Sequence, residues 1–169
     1  MLRNAGADDA GALAELAERT FRDTFAPSNS AEDMAGYCRA HFGRERQRAE
    51  IADPGWATVV ADEDGALVAF GQLRFSDAPA CIPGGRPREI LRFYVDKSRH
   101  GQGLAPKLMG ALLERAADAG ADGVWLGVWE HNPRAIAFYK KAGFREVGEH
   151  AFALGSDLQR DVLMYRALR

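Results

Sequence analysis

The sequence predicts an α/β fold of the α+β kind, one mixed sheet of about six to seven strands flanked by helices. Helical periodicity dominates the first third of the chain, strand patterning takes over from residue 56, and the remainder alternates strand and helix. The chain has 169 residues, 47% apolar and 27% charged, which suits one domain over 1–169 with a sizeable core rather than a disordered segment.

Residues 8–25 place Leu13, Leu16, Ala17, Phe21 and Phe25 on one helical face, with acids in the first turn and Pro27 beyond the end. Ser30, with Asp33 three residues on, has the form of a capping box with Asp in place of Glu or Gln. It opens a second helix with Met34, Tyr37, Cys38 and Phe42 on its apolar face, and Arg44 to Ile51 continues as a short third one. Trp56–Ala61 and Leu67–Phe75 read as strands joined through Asp62-Glu63-Asp64-Gly65, a hairpin signal. Ser76 to Arg88 holds three prolines and two glycines and reads as a long surface loop, a class of segment that often carries function. The strand Glu89–Asp96 should then place Glu89, Leu91, Phe93 and Val95 on one face and Ile90, Arg92 and Tyr94 on the other.

After Gly103 a helix runs to about Ala119 on the stripe Leu104, Leu108, Met109, Leu112, Leu113 and Ala116. A strand at Val124–Trp129, a helix at Pro133–Lys141, a strand at Phe144–Val147 and a last strand at Asp161–Leu168 complete the chain.

Charge narrows the partners. Twenty-two Lys and Arg against 24 Asp and Glu leave a formal net charge of −2, so bulk attraction to nucleic acid or an anionic membrane is not expected. Cys38 and Cys81 lie in no CxxC pattern and are expected to be free thiols in a reducing compartment. No apolar run approaches the roughly 20 residues that span a bilayer. The N-terminus lacks the apolar segment of a secretory signal, so a cytoplasmic location is expected.

Two segments carry chemistry. In Val95-Asp96-Lys97-Ser98-Arg99-His100-Gly101-Gln102-Gly103-Leu104-Ala105 a strand passes through a glycine turn directly into a helix. Glycines let backbone N–H groups converge on an anion, the helix start adds partial positive charge, and Lys97, Arg99 and His100 surround the turn. GxxxxGK[ST] is absent, and a dinucleotide GxGxxG would need glycine at Pro106, so a phosphate cradle of another kind competes with a purely steric turn. The second segment runs from Val124 to Phe144. Asn132 can cap a helix that begins at Pro133, and Gly143 after Lys140-Lys141 ends it, which leaves Tyr139 without an evident structural duty.

Taken together, ILRFYV, RHGQGLA and NPRAIAFYKKAGF resemble the GNAT superfamily of acetyl-CoA-dependent N-acetyltransferases, over at least residues 56–150. TFRDTFAPSNSAEDMAGY, WLGVWEHNPRAIAFYKKAGF and DVLMYRAL further resemble the bacterial PaiA-type spermidine/spermine N-acetyltransferases. His100 departs from the Gln or Arg usual at that place in the superfamily, and a neutral imidazole offers one donor where Arg offers five. The resemblance implies a centrally splayed sheet with acetyl-CoA between two strands as co-substrate and no metal. It implies backbone contacts to the pantetheine arm from Phe93, Tyr94 and Val95, and a pyrophosphate cradle of His100, Gly101, Gln102, Gly103, Leu104 and Ala105. Asn132 would contact the pantetheine, Lys141 a cofactor phosphate, and Tyr139 the sulfur.

The chemistry itself is demanding. An amine of pKa about 10.4 is only roughly 0.04% neutral at pH 7, so a group must take its proton. Val95 N–H is the candidate oxyanion donor, Tyr139 the candidate acid for the leaving thiolate, and Glu89 the candidate base through water. Glu130 and His131 are weaker candidates, and His41 and His150 have no supporting context. A polyamine acceptor would draw on Glu32, Asp33, Asp77, Glu89 and Glu130, whereas Arg74, Arg86, Arg88 and Arg92 would suit an amine carrying a carboxylate unless they are merely solvated. Competing readings are an acetyltransferase for amino acid, peptide or antibiotic amines and a non-catalytic acyl-CoA sensor. A nucleotide-binding regulator lacks a Walker lysine and a ribose-binding acid. Trp125, Trp129 and the last strand are available to a homodimer.

Overall fold

A computed structural model describes residues 1–168. Seven strands form one sheet in the order β1-β2-β3-β4-β5-β7-β6. They are β1 Leu2–Asn4, β2 Trp56–Glu63, β3 Ala66–Arg74, β4 Pro87–Val95, β5 Gly123–Trp129, β6 Arg145–Leu154 and β7 Asp157–Ala167. The helices are α1 Ala10–Phe25, α2 Ala31–His41, α3 Arg44–Ala52, α4 Leu104–Asp118 and α5 Pro133–Lys141. All neighbours pair antiparallel except β4 and β5, which run parallel.

The helices divide between the two faces. One core packs α4 and α5 against Val59, Leu73, Ile90, Leu126, Val128 and Met164, while the other packs α1 and α2 against Val60, Phe70 and Leu154. The amphipathic stripes read from the sequence are the buried ones: Leu13, Leu16, Phe21 and Phe25 in α1, and Leu108, Met109 and Leu112 in α4.

Local chemistry explains most boundaries. The β2–β3 turn sets Asp64 and Gly65 at φ 53° and 89°, and the Asp62 carboxylate accepts the Gly65 N–H at 2.8 Å. Ser30 caps α2 by accepting the Asp33 N–H at 3.1 Å, but only half of the expected box forms. The Asp33 carboxylate turns instead to the Ser156 N–H and hydroxyl in the β6–β7 turn, tying α2 to the far end of the sheet.

Three expectations are corrected. Short β1 was not anticipated, because three residues give no readable alternation. β6 is ten residues long rather than four; it is an edge strand, so its outward residues are polar and the apolar pattern fades after Val147. In β4 the strict alternation fails, since Gln72 pairs with Arg92 but Leu73 with Ile90, which leaves Leu91 as a bulge. Ile90 therefore joins Phe93 and Val95 against the α4 and α5 core, while Tyr94 packs with the α1 and α2 core and Arg92 reaches Glu50 of α3 on the same face.

Cys38 is buried and Cys81 exposed, and neither is in a disulfide. Among the described residues no helix is long and apolar enough to cross a membrane.

Candidate active site

The sheet opens at its centre. β4 and β5 pair only through Pro87–Gly123, Arg88–Val124 and Glu89–Trp125, directly before the bulge, and beyond that point they diverge. The Asp96 N–H donates to the Val68 carbonyl at 2.9 Å, which sets the antiparallel alternation: Asp96 and Tyr94 turn their backbone groups toward β3, and Val95 and Phe93 turn theirs toward the gap. Those groups have no strand to pair with. A groove of about 960 Å³ fills the gap and is lined by both strands.

At one end of the groove stands the glycine turn. Asp96 caps a single 3₁₀ turn at 97–99 by accepting the Ser98 N–H and hydroxyl and pairing with Arg19, and these bonds hold its carboxyl down at about 2. Gly101 and Gly103 have φ of 76° and 79°, the left-handed region that side chains disfavour. Gly103 is the N-cap of α4, and among the described residues no side chain caps the helix, so its first N–H groups are left open where Gly103, Leu104 and Ala105 line the groove. The start of α5 contrasts with this, because Asn132 accepts the Ala135 N–H at 3.2 Å. A helix of 15 residues with bare N–H donors behind two glycines is built to hold an anion. Around it Lys97 pairs with Asp23 at 3.6 Å and Arg99 with Glu63 at 2.8 Å. His100 folds inward, and its Nε2 donates to the Val95 carbonyl at 2.8 Å.

Tyr139 stands on α5 in the groove wall, 8% exposed, with Phe93, Phe138 and Phe144 around its ring. Burial pushes its phenol well above the ordinary range, so it stays protonated through neutral pH.

The other end is walled by rings. Phe21 stacks on Tyr37 at 4.5 Å, Phe25 lies 5.2 Å from Trp129, and Phe152 is 5.7 Å from Tyr37. Beneath them is a polar layer. Arg92, 6% exposed, binds Glu50 at 2.7 Å, Gln72 at 2.6 Å and the His41 carbonyl at 3.3 Å. Arg74 donates to Glu89 at 2.6 Å. Arg92 is thus paired inside the protein and the partly exposed Arg74 is paired with Glu89, which corrects the reading of Arg92 as a solvated strand residue. Burial, reinforced by Arg92 and Arg46, holds His41 below its ordinary value, so the ring is neutral.

Most expected site residues meet in this groove. Phe93, Tyr94 and Val95 line it from β4, and His100, Gly101, Gly103, Leu104 and Ala105 from the turn and α4. Asn132 and Tyr139 close the opposite side, and Glu89 lies at the apex of the splay. Gln102 and Lys141 do not line it: the Gln102 amide donates to the Ser98 carbonyl at 3.1 Å, and Lys141 is exposed in the last turn of α5. Glu89 is 6% exposed, and its Oε1 accepts from both Arg74 and Ser76. Four further residues line the groove: Tyr37, expected only on the apolar face of α2, His150, which had no supporting context in the sequence, and Gly127 and Asp161, which carried no site expectation. Only Gly127 left a trace, as a glycine inside the strand pattern of WLGVW, where a close approach to the backbone is often made.

Comparison with known proteins agrees with this geometry. Residues 12–144 match the Acetyltransferase (GNAT) family. An uncharacterized N-acetyltransferase of Mycobacterium tuberculosis is 36% identical over 160 residues, which is 95% of this chain and 98% of that one. A probable spermine N(1)-acetyltransferase of Bacillus subtilis subsp. natto is 36% identical over 62 residues, 36% of this chain and 41% of that one. Among solved structures, the PaiA N-acetyltransferase of Thermoplasma acidophilum in complex with coenzyme A superposes with a TM-score of 0.79 at 22% identity, covering 99% of this chain and 98% of that one. A sheet splayed between two parallel strands, an open helix start beside the gap and a match spanning most of the sequence converge, and the chain belongs to the GNAT family of acetyl-CoA-dependent N-acetyltransferases.

Proposed function

We propose that the chain acetylates a primary amine of a polyamine such as spermidine or spermine by direct attack on the thioester. The observation that carries this reading is the acceptor end of the groove. Aromatic rings from α1, α2, β5 and β6 surround it, the Asp161 carboxylate faces it with no arginine partner among the described residues, and Arg92 and Arg74 are paired with Glu50 and Glu89. Rings and carboxylates together attract an alkylammonium. A second pocket of about 730 Å³ continues from Trp129, His131 and His150 and adds Glu130, Glu149 and Asp157, with Arg160 bound to the two glutamates. It offers room and negative charge for a distal ammonium. The short likeness to a probable spermine acetyltransferase, over 36% of this chain, supports the same choice.

Cofactor contacts follow from backbone supply. Phe93 and Val95 would bind the pantetheine amides, with Tyr94 between them, and Asn132 would close the other side. The N–H groups from Gly101 to Ala105 would hold the pyrophosphate, a donor set that fits an anion without any side chain. His100 would have to leave the Val95 carbonyl when the pantetheine takes that acceptor. The Val95 N–H would face the oxyanion, Tyr139 would hand its proton to sulfur, and Glu89, held by Arg74, would contribute negative charge at the apex. Gln102 and Lys141 would serve at the margin, outside the groove wall.

The test is acetyl transfer across spermidine, spermine, amino acids, dipeptides and aminoglycosides, read as free CoA released. Spermidine and spermine are expected to give the highest kcat/KM. A preference for amines that carry a carboxylate would overturn the polyamine reading.

A further inference from the structure

One pair of side chains at the acceptor end is unused by the chemistry above. Cross-strand register sets Trp129 of β5, Asp161 of β7 and His150 of β6 in one row. His150 Nε2 lies 3.6 Å from Asp161 Oδ2. Gly127 shares that face of β5 and is exposed between buried neighbours. A Cβ at Gly127 would meet Asp161 Oδ2 at 3.1 Å and His150 Nε2 at 3.3 Å, so both polar atoms hang over the same bare stretch of strand. Asp161 is largely buried, its side chain 12% exposed, and among the described residues no donor other than His150 approaches its carboxylate. His150, at 42%, reaches both the groove and the outer pocket.

We propose that His150 is the base that takes the proton of the acceptor ammonium, with Asp161 as the positioning residue that steadies the imidazolium so formed; this rests on the amine-acetylation reading above. With Nε2–H turned to Asp161 Oδ2, the ammonium donates to His150 Nδ1; the ammonium N–H bond breaks and its electron pair stays on the amine nitrogen. That nitrogen bonds to the carbonyl carbon of the thioester and the C–S bond breaks. Sulfur takes the Tyr139 proton, and the second proton of the amine returns to Tyr139. The one proton released per turnover sits on His150, which is exposed enough to pass it to water.

Other candidate bases are occupied. Glu89 Oε1 holds Arg74 and Ser76, and Glu130 and Glu149 share Arg160, so the carboxylate beside His131 already has a cation, whereas no arginine or lysine among the described residues pairs with Asp161. The charged and titratable groups that face the pair are Tyr37 of α2, Tyr94 of β4, Glu130 and His131 after β5, Glu149 of β6 and Arg160 of β7. Burial raises the Asp161 carboxyl, and the charge of His150 offsets only part of that rise, so the carboxylate is favoured most when the imidazole beside it is protonated.

The experiment measures kcat/KM against pH for the wild type, His150→Gln and Asp161→Asn, using primary amines graded in basicity, with acetyl-CoA affinity by calorimetry and melting temperature alongside. His150→Gln should lose on the order of 10²-fold near pH 7. The loss should shrink as pH rises toward the amine's own pKa, and it should be least for the most weakly basic amine. Asp161→Asn should move the same way by a smaller factor, with affinity and melting unchanged in both. A loss independent of pH and of amine, or no loss at all, overturns the base. Absence of turnover by the wild type with every amine overturns the amine reading and the base together.

Discussion

The two ends of the groove are made of different material. At the end proposed to take the cofactor, the available polar groups are backbone N–H and C=O groups, supplied by a broken strand pair, two left-handed glycines and an uncapped helix. At the acceptor end they are side chains, brought from α1, α2, β4, β5, β6 and β7 and held by buried polar bonds. A backbone site accepts many side chains around it as long as the chain path persists. A side-chain site depends on each residue and on the packing beneath it. Perturbing the support of one end should therefore leave the other intact.

The largest effect is expected below the acceptor wall. Arg92 and Glu50 are both buried, and Gln72, Gln47 and Thr58 extend their network under the rings. Glu50→Ala leaves the guanidinium without its counter-charge, and removing one partner of a buried pair destabilises by about 3–5 kcal/mol. Denaturant unfolding should show that loss, and acetyl-CoA affinity of the folded fraction should hold near the wild-type value. Equal loss of affinity would mean that the two ends do not stand apart.

Next in size is Tyr139, which sits where the ends meet. Tyr139→Phe keeps the ring among Phe93, Phe138 and Phe144 and removes only the hydroxyl. Turnover should fall on the order of 10²-fold with acetyl-CoA affinity kept. Unchanged turnover in steady-state kinetics would remove Tyr139 from the proton path and leave it as part of the wall.

The same contrast explains what could be read in advance. Periodicity located α1, α2 and α4, whose apolar faces are buried, whereas α3 was legible only as a charged stretch before Asp53-Pro54-Gly55. The helix α5 and the glycine turn were visible because the physics of Asn132-Pro133, Gly143 and the glycines is local. The splay was expected only through the family resemblance, and the β4 bulge was not visible in ILRFYV, since a bulge is a relation between two strands. His150 looked arbitrary for a similar reason. Its meaning comes from Asp161, eleven residues on across a hairpin, and from Gly127 on the next strand over, and the register of three strands is not written in any one of them. Arginines 74 and 92 misled in the opposite sense, because their partners Glu89 and Glu50 lie 15 and 42 residues away.

The smallest effect tests the backbone end on its own terms. Gly103 has φ of 79°, and a Cβ there would meet nothing within 4 Å, so Gly103→Ala acts through conformation alone. Holding an L-residue in the left-handed region costs about 1–2 kcal/mol. The turn can relieve this by rotating the first N–H groups of α4 away from the anion, and a shift of that size weakens binding about tenfold. Gly110, in the middle of the same helix, also has open space around a Cβ but no positive φ. Gly110→Ala should stabilise by up to about 1 kcal/mol through helix propensity and leave acetyl-CoA affinity alone. If calorimetry finds the two variants alike in affinity, the glycine turn is steric punctuation and the phosphates are held elsewhere; if only Gly103→Ala weakens binding, the cradle is the chain path itself.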